Sequence, residues 1–170
     1  MVSSNKIEKS FLHKNTPIII LFISVLNEID FNSLGLQYFS FNFAYILIFY
    51  YSLKRESGIG YIYIFIAGLF NDVVNGLPMG ISSLCYLLLC AAAVYLRNIT
   101  LRPNIFKDWI FFLITISFLN CINFSFLILF FSYEINYFDQ ITNITFTFLL
   151  YLFFSYLFKI YDDIILSRIN

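Results

Sequence analysis

Charge is what this chain has least of. Asp, Glu, Lys and Arg make up 12% of its 170 residues, and hydrophobic residues 61%. Soluble domains carry roughly 25% charged residues, so a water-soluble fold of this length could not cover its surface. The charges that exist cancel, ten Lys and Arg against ten Asp and Glu. No global field therefore recruits nucleic acid, and no basic groove with interleaved aromatics is visible. Histidine occurs once, as His13 in the polar opening segment. The three cysteines, Cys85, Cys90 and Cys121, lie inside apolar runs and form no C-x-x-C pair. Metal sites need several convergent ligands, and no close spacing assembles them here, so the thiols read as small apolar side chains. A Gly-x-Ser-x-Gly turn and a nucleophile–base pair are missing, and Asp72 has no second carboxylate at a spacing useful for acid–base work. The chain reads as a non-enzyme without a cofactor.

Aromatic and aliphatic residues fill the space that charge leaves, with 23 Phe and 13 Tyr. A membrane-crossing helix needs about 20 mostly apolar residues. Six candidates emerge, at 17–34, 38–53, 58–74, 80–96, 109–131 and 137–158. The first is the weakest, because Asn27, Glu28 and Asp30 fall in its outer half. No small-x-small cleavage site follows it, so it is expected to be a retained span rather than a signal peptide. The expected organisation is a polar tail over 1–16, a six-helix membrane domain over 17–158 and a second tail over 159–170. The closing KIYDDIILSRIN either extends the last helix or lies along the surface.

Charge placement tests this segmentation. Six alternating helices put the opening tail, the Lys54–Arg55 turn, the 97–107 loop and the closing tail on one side, and with them all ten Lys and Arg. The opposite loops hold Glu28, Asp30, Asp72, Glu134 and Asp139, with no base among them. Cytoplasmic loops are the Lys/Arg-rich ones, so both termini are expected in the cytoplasm. No connection has room for a separate domain, which confines any binding chemistry to the helices or their ends.

One stretch breaks the apolar pattern: GLFNDVVNGLPMG, from Gly68 to Gly80. Gly76 and Gly80 allow positive φ, and Pro78 suits a turn. The stretch reads as a sharp bend that launches a helix near Ile81, with Ser82 and Ser83 helping to satisfy its free N–H groups. No Lys-Ser/Thr follows, so it is not a phosphate-binding loop. Asp72 stands at the end of the preceding helix. It is either a solvated or capping residue, or a carboxylate that contacts a partner or fixes the turn. If it merely caps, Asp72→Asn should be milder than Gly80→Val or Pro78→Leu. Asn120 and Asn123, one turn apart, and Asn143 read as intramembrane amides that bond across helices. Ala91, Ala92 and Ala93 permit close helix packing.

The motif Gly68-Leu69-x-x-Asp72, then Gly76-x-Pro78-x-Gly80, then the apolar Leu84–Leu96 closed by Arg97, resembles the rod-shape-determining MreD family. Tyr50-Tyr51-x-Leu53-x-Arg55 is similar to that family's aromatic–basic helix end. The motif match covers about a quarter of the chain. The resemblance implies a non-enzymatic scaffold of the bacterial inner membrane that supports lateral peptidoglycan synthesis. It implies association with MreC and, through it, with MreB filaments, RodA and a penicillin-binding transpeptidase, among membrane lipid and without nucleic acid. It also implies an all-α fold of six membrane helices, similar to the substrate-binding subunits of energy-coupling-factor vitamin transporters. That similarity supplies the rival reading: a small-molecule-binding transporter subunit with a polar pocket drawn from Asn120, Asn123 and Asp72.

Overall fold

The computed structural model describes residues 15–25, 41–54, 59–100, 104–131 and 137–169, with side chains described through residue 164. Among these residues all regular structure is helical. The helices are α1 (Asn15–Val25), α2 (Phe43–Lys54), α3 (Tyr61–Val74), α4 (Ile81–Ile99), α5 (Ile105–Phe131) and α6 (Tyr137–Ile169).

Helix α2 is the axis of the bundle. Every residue from Ala44 to Leu53 is buried, as expected of a helix that is apolar on all sides. It packs against α4 and α6, while α3 and α4 form the most intimate pair and α5 bridges α4 and α6. Phe49 is the hub. Its ring lies 5.0 Å from Phe112 of α5 and 5.7 Å from Tyr151 of α6, which themselves stack at 4.5 Å. Trp109 ties the same two helices together, lying flat on Phe148 at 4.3 Å and donating its indole N–H to the Phe148 carbonyl at 2.9 Å.

The outer surface is as apolar as the core. Ile62 on α3, Phe118 and Leu129 on α5 and Phe138 and Ile141 on α6 are all exposed. A continuous surface of this kind is matched to lipid rather than to water. By length and composition α4, α5 and Tyr137–Ile164 of α6 are fit to cross a membrane, whereas α1, α2 and α3 are shorter apolar helices. At 1.5 Å per residue, the 12 residues of α2 and 14 of α3 rise about 18 and 21 Å. Since α2 is sheathed by protein, lipid thickness does not directly set its length.

Several boundaries differ from the expected ones, and capping residues explain two of them. Asn42 caps α2, its side-chain oxygen accepting from the Tyr45 N–H at 3.1 Å, so the helix starts at Phe43; residues 38–40 lie outside the described residues. Asn104 caps α5 by accepting from the Phe106 N–H at 3.0 Å, which brings its start forward from Trp109 to Ile105. The third helix begins at Tyr61, after Gly60. The expected first span beyond residue 25, with Glu28 and Asp30, also lies outside the described residues. The closing segment is no separate surface tail: α6 runs unbroken to Ile169, 33 residues long. That is about 50 Å of helix against a hydrocarbon core of about 30 Å.

Candidate functional site

The Gly68–Gly80 stretch forms the tip of the α3–α4 hairpin, and its local structure follows from its residue types. Helix α3 ends when Gly76 takes the left-handed conformation at φ 62°. The Gly76 N–H then reaches the Val73 carbonyl at 3.4 Å and the Leu77 N–H reaches the Asp72 carbonyl at 2.9 Å, the paired bonds of a Schellman ending. Pro78 to Ile81 makes the second bend, with the Ile81 N–H on the Pro78 carbonyl at 3.5 Å. Gly80, at φ 103° and ψ −15°, supplies the positive φ that the third position of a type II turn requires.

Asp72 joins the two bends. It is fully buried, which removes the solvated reading. One carboxylate oxygen accepts from the Gly80 N–H at 2.7 Å and the other from the Ser82 N–H at 2.9 Å. A carboxylate at the last turn of α3 thus caps the first turn of α4, where orphan N–H groups and the positive end of the helix dipole both favour an anion. The expectation that Ser82 and Ser83 satisfy these N–H groups is corrected here. The Ser82 hydroxyl instead accepts from the Asn71 side-chain amide at 3.0 Å, and the Ser83 hydroxyl donates to the Phe65 carbonyl at 3.1 Å. A carboxylate offers two charged acceptors to adjacent N–H groups and outcompetes a hydroxyl for them.

Gly68 sets the distance between the two helices. A Cβ placed on it would meet the Ser83 backbone, with the nitrogen at 2.6 Å, so only glycine permits this crossing. Leu69 beside it is half-buried. Gly76, by contrast, is exposed, and open space surrounds its Cα. The tip turns its polar groups inward and presents apolar ones: Met79 is 77% exposed, and Val73, Val74 and Leu84 are exposed around it.

The other polar positions do not converge on this tip. Asn120 donates to the Ile116 carbonyl of its own helix at 2.8 Å, a bond within α5 where one between helices was expected. Asn123 buries its side-chain oxygen with no hydrogen-bond partner among the described residues. Asn143 of α6 accepts from Thr147, which also accepts from the Asn42 N–H at 2.9 Å and so ties α6 to the start of α2. Ala93 is buried and Ala91 is exposed.

A second polar cluster, at the opposite end of α4, was not foreseen from the sequence. Asp108, in the first turn of α5, is nearly fully buried and pairs with Lys54 at 3.2 Å. Arg97, in the last turn of α4, donates to the Ser52 carbonyl at 3.2 Å, one of the carbonyls that α2 leaves without an intrahelical partner. The signal was present: an acid sits next to Trp109 on the side to which every base had been assigned, where Lys54 is its natural counter-ion.

Chemically, the hairpin tip is a structural device. Both oxygens of Asp72 are held by backbone N–H groups, so the carboxylate is committed to the turn and poorly placed to act as a base. Among the described residues no group of three His, Cys, Asp or Glu converges.

A family model described as rod shape-determining protein MreD matches residues 9–161. No curated protein and no solved structure matches the chain.

Proposed function

The chain belongs to the MreD family of rod shape-determining proteins, and from that premise we propose that it is a non-enzymatic scaffold of the bacterial cell-elongation machinery. It sits in the inner membrane with six crossings and both termini in the cytoplasm, and maintains rod shape by binding MreC. Through MreC it engages MreB, RodA and a penicillin-binding transpeptidase, supporting lateral peptidoglycan synthesis. The placement of all ten bases on one side of the alternating segments supports the orientation.

The observation that carries the reading, beside the family match, is the α3–α4 hairpin. Asp72, Gly68 and Gly80 build a tip whose polar groups are satisfied internally and whose exterior is apolar. Such a tip is preorganised, so a partner that docks there does not have to order it first. Of the three residues that a vitamin-binding reading would draw on, two are engaged elsewhere, Asp72 with the turn and Asn120 with its own helix.

Depletion in a rod-shaped host tests the role directly. Cells should round up, and MreC should no longer co-purify with the remaining elongation proteins. Normal rods with intact complexes would reject the proposal.

A further inference from the structure

Helix α3 leans on α4 at the edge of the bundle, and its outer side carries exposed Ile62, Phe65, Phe70 and Val73. Unlike α2 it is not sheathed by protein, so lipid meets it directly. Its 14 residues rise about 21 Å, and both ends turn the chain back rather than lengthen it. At the tip, the Leu77 N–H returns to the Asp72 carbonyl at 2.9 Å and the Gly80 N–H to the Asp72 carboxylate at 2.7 Å. At the other end, the Gly60 carbonyl accepts from the Tyr63 and Ile64 N–H groups, and Ile59 just before it is buried. Tyr61 and Tyr63 are exposed there, the placement that tyrosine favours at a membrane–water boundary.

The helices differ in height. Helix α4 carries no charge from Ile81 to Leu96, about 24 Å. Helix α5 carries none from Trp109 to Phe131, about 34 Å. The hydrocarbon of a bilayer is about 30 Å deep. The α5 side fills it, and the α3–α4 hairpin falls short by about 6–9 Å. A short span is met by thinning the lipid, by long flanking side chains that reach the surface, or by association. Tilting would only lower the hairpin further. No residue from Asn75 to Gly80 is charged, so no long side chain reaches outward from the tip. The tip is an irregular turn with Gly76 exposed, and lipid-exposed irregular backbone is not tolerated in hydrocarbon. Association would cover the face of α3 without lifting that turn to the water.

We propose that the α3–α4 hairpin seats in a locally thinned bilayer. The lipid along Ile62, Phe65, Phe70 and Val73 has hydrocarbon about 21–24 Å deep, against about 30 Å beside α5. Headgroups drawn toward the tip keep Pro78 within reach of water. The inference needs the chain in a membrane and nothing of MreC, so its failure would leave the shape-determining role untouched.

The test uses the full chain in bilayers that mix phosphatidylcholines with 14-carbon and 22-carbon monounsaturated chains, each brominated in turn, with tryptophan quenching as the readout. Phe65→Trp reports from α3 and Phe118→Trp from α5, both at exposed positions. Trp109 stays in place, and the wild-type signal is subtracted. At position 65 the short lipid should be favoured over the long one about three-fold. At position 118 that preference should vanish or reverse. Ile62→Trp, on the same face of α3, takes over if Phe65→Trp folds poorly. Equal ratios at the two positions, a preference for the long lipid on α3, or no quenching there, as when a second copy covers the face, would each overturn the proposal.

Discussion

Asp72 closes the third helix and Gly80 opens the fourth, and a 2.7 Å bond from the Gly80 N–H to the Asp72 carboxylate holds them together. The second oxygen of the same side chain takes the Ser82 N–H at 2.9 Å. At the far end of α4 the relation is mirrored in charge, with Arg97 donating to a carbonyl at the end of α2. An acid therefore serves a helix N-terminus and a base serves a helix C-terminus, each supplied by a neighbouring helix. Both arrangements follow the helix dipole, and both leave buried backbone groups satisfied where water is scarce.

The double acceptance by Asp72 changes the expectation for its amide. Asp72→Asn keeps one acceptor oxygen and turns an NH2 group toward a backbone N–H. One buried donor is then left unsatisfied, at a cost of about 1–3 kcal/mol. Thermal melting in detergent should show a lower midpoint for Asp72→Asn and a lower one still for Asp72→Ala. MreC capture should weaken in step with that loss. A midpoint matching the wild type would mean that the carboxylate is not needed for the turn.

Gly68 and Gly76 should both lose stability on the same change, for different reasons. Gly68→Ala drives a methyl group into the Ser83 backbone and should cost about 1–3 kcal/mol through overpacking. Gly76→Ala meets open space and should cost about 1–2 kcal/mol, from its left-handed conformation alone. Combining Gly68→Ala with Ser83→Ala should give no rescue of the close approach, since the obstacle is backbone. Recovery in that double variant, measured by the same melts, would contradict the geometry.

For the Lys54–Asp108 pair the two single variants should differ. Lys54→Met strands a buried carboxylate, costing about 3 kcal/mol. Asp108→Asn leaves a lysine whose side chain is 33% exposed and can reach water, so it should cost less, about 1 kcal/mol. Lys54→Met with Asp108→Leu should recover most of the loss. Equal destabilisation by the two single changes would show that the pair is not buried as described.

The proposed topology has its own check. In a cysteine-free background, Pro78→Cys should be labelled by an impermeant thiol reagent applied from the periplasm, and Lys107→Cys should not. The reverse pattern would invert the orientation and remove the basis for docking MreC on the outer side.

Much of the hairpin is legible in the sequence. Gly76, Pro78 and Gly80 announce a bend because each restricts or frees the backbone locally, and local chemistry survives in one dimension. The role of Gly68 as a crossing point was hidden, because the residue that excludes a side chain there is Ser83, 15 positions away. Asp72 was legible as something other than lipid-facing filler, while its choice between solvent and cap depended on where Gly80 and Ser82 folded back. Asn120 was misjudged for a related reason: an amide in an apolar helix has an acceptor one turn behind it as well as across the interface, and it took the nearer one. Asp108 was overlooked because its partner, Lys54, lies on another helix.

The sequence alone established that most of the chain is apolar and expected to be helical, and it marked the bend between the third and fourth helices. These depend on composition and on residues acting over a few positions. Only the tertiary structure decided that α2 is the axis, which aromatic rings of α5 and α6 face outward, and that Asp72 and Arg97 cap helices other than their own. The physical reason lies in the solvent. Lipid tails are as apolar as a packed protein interior, so an inward Phe and an outward Phe look alike in the sequence, and only the contacts that form tell them apart.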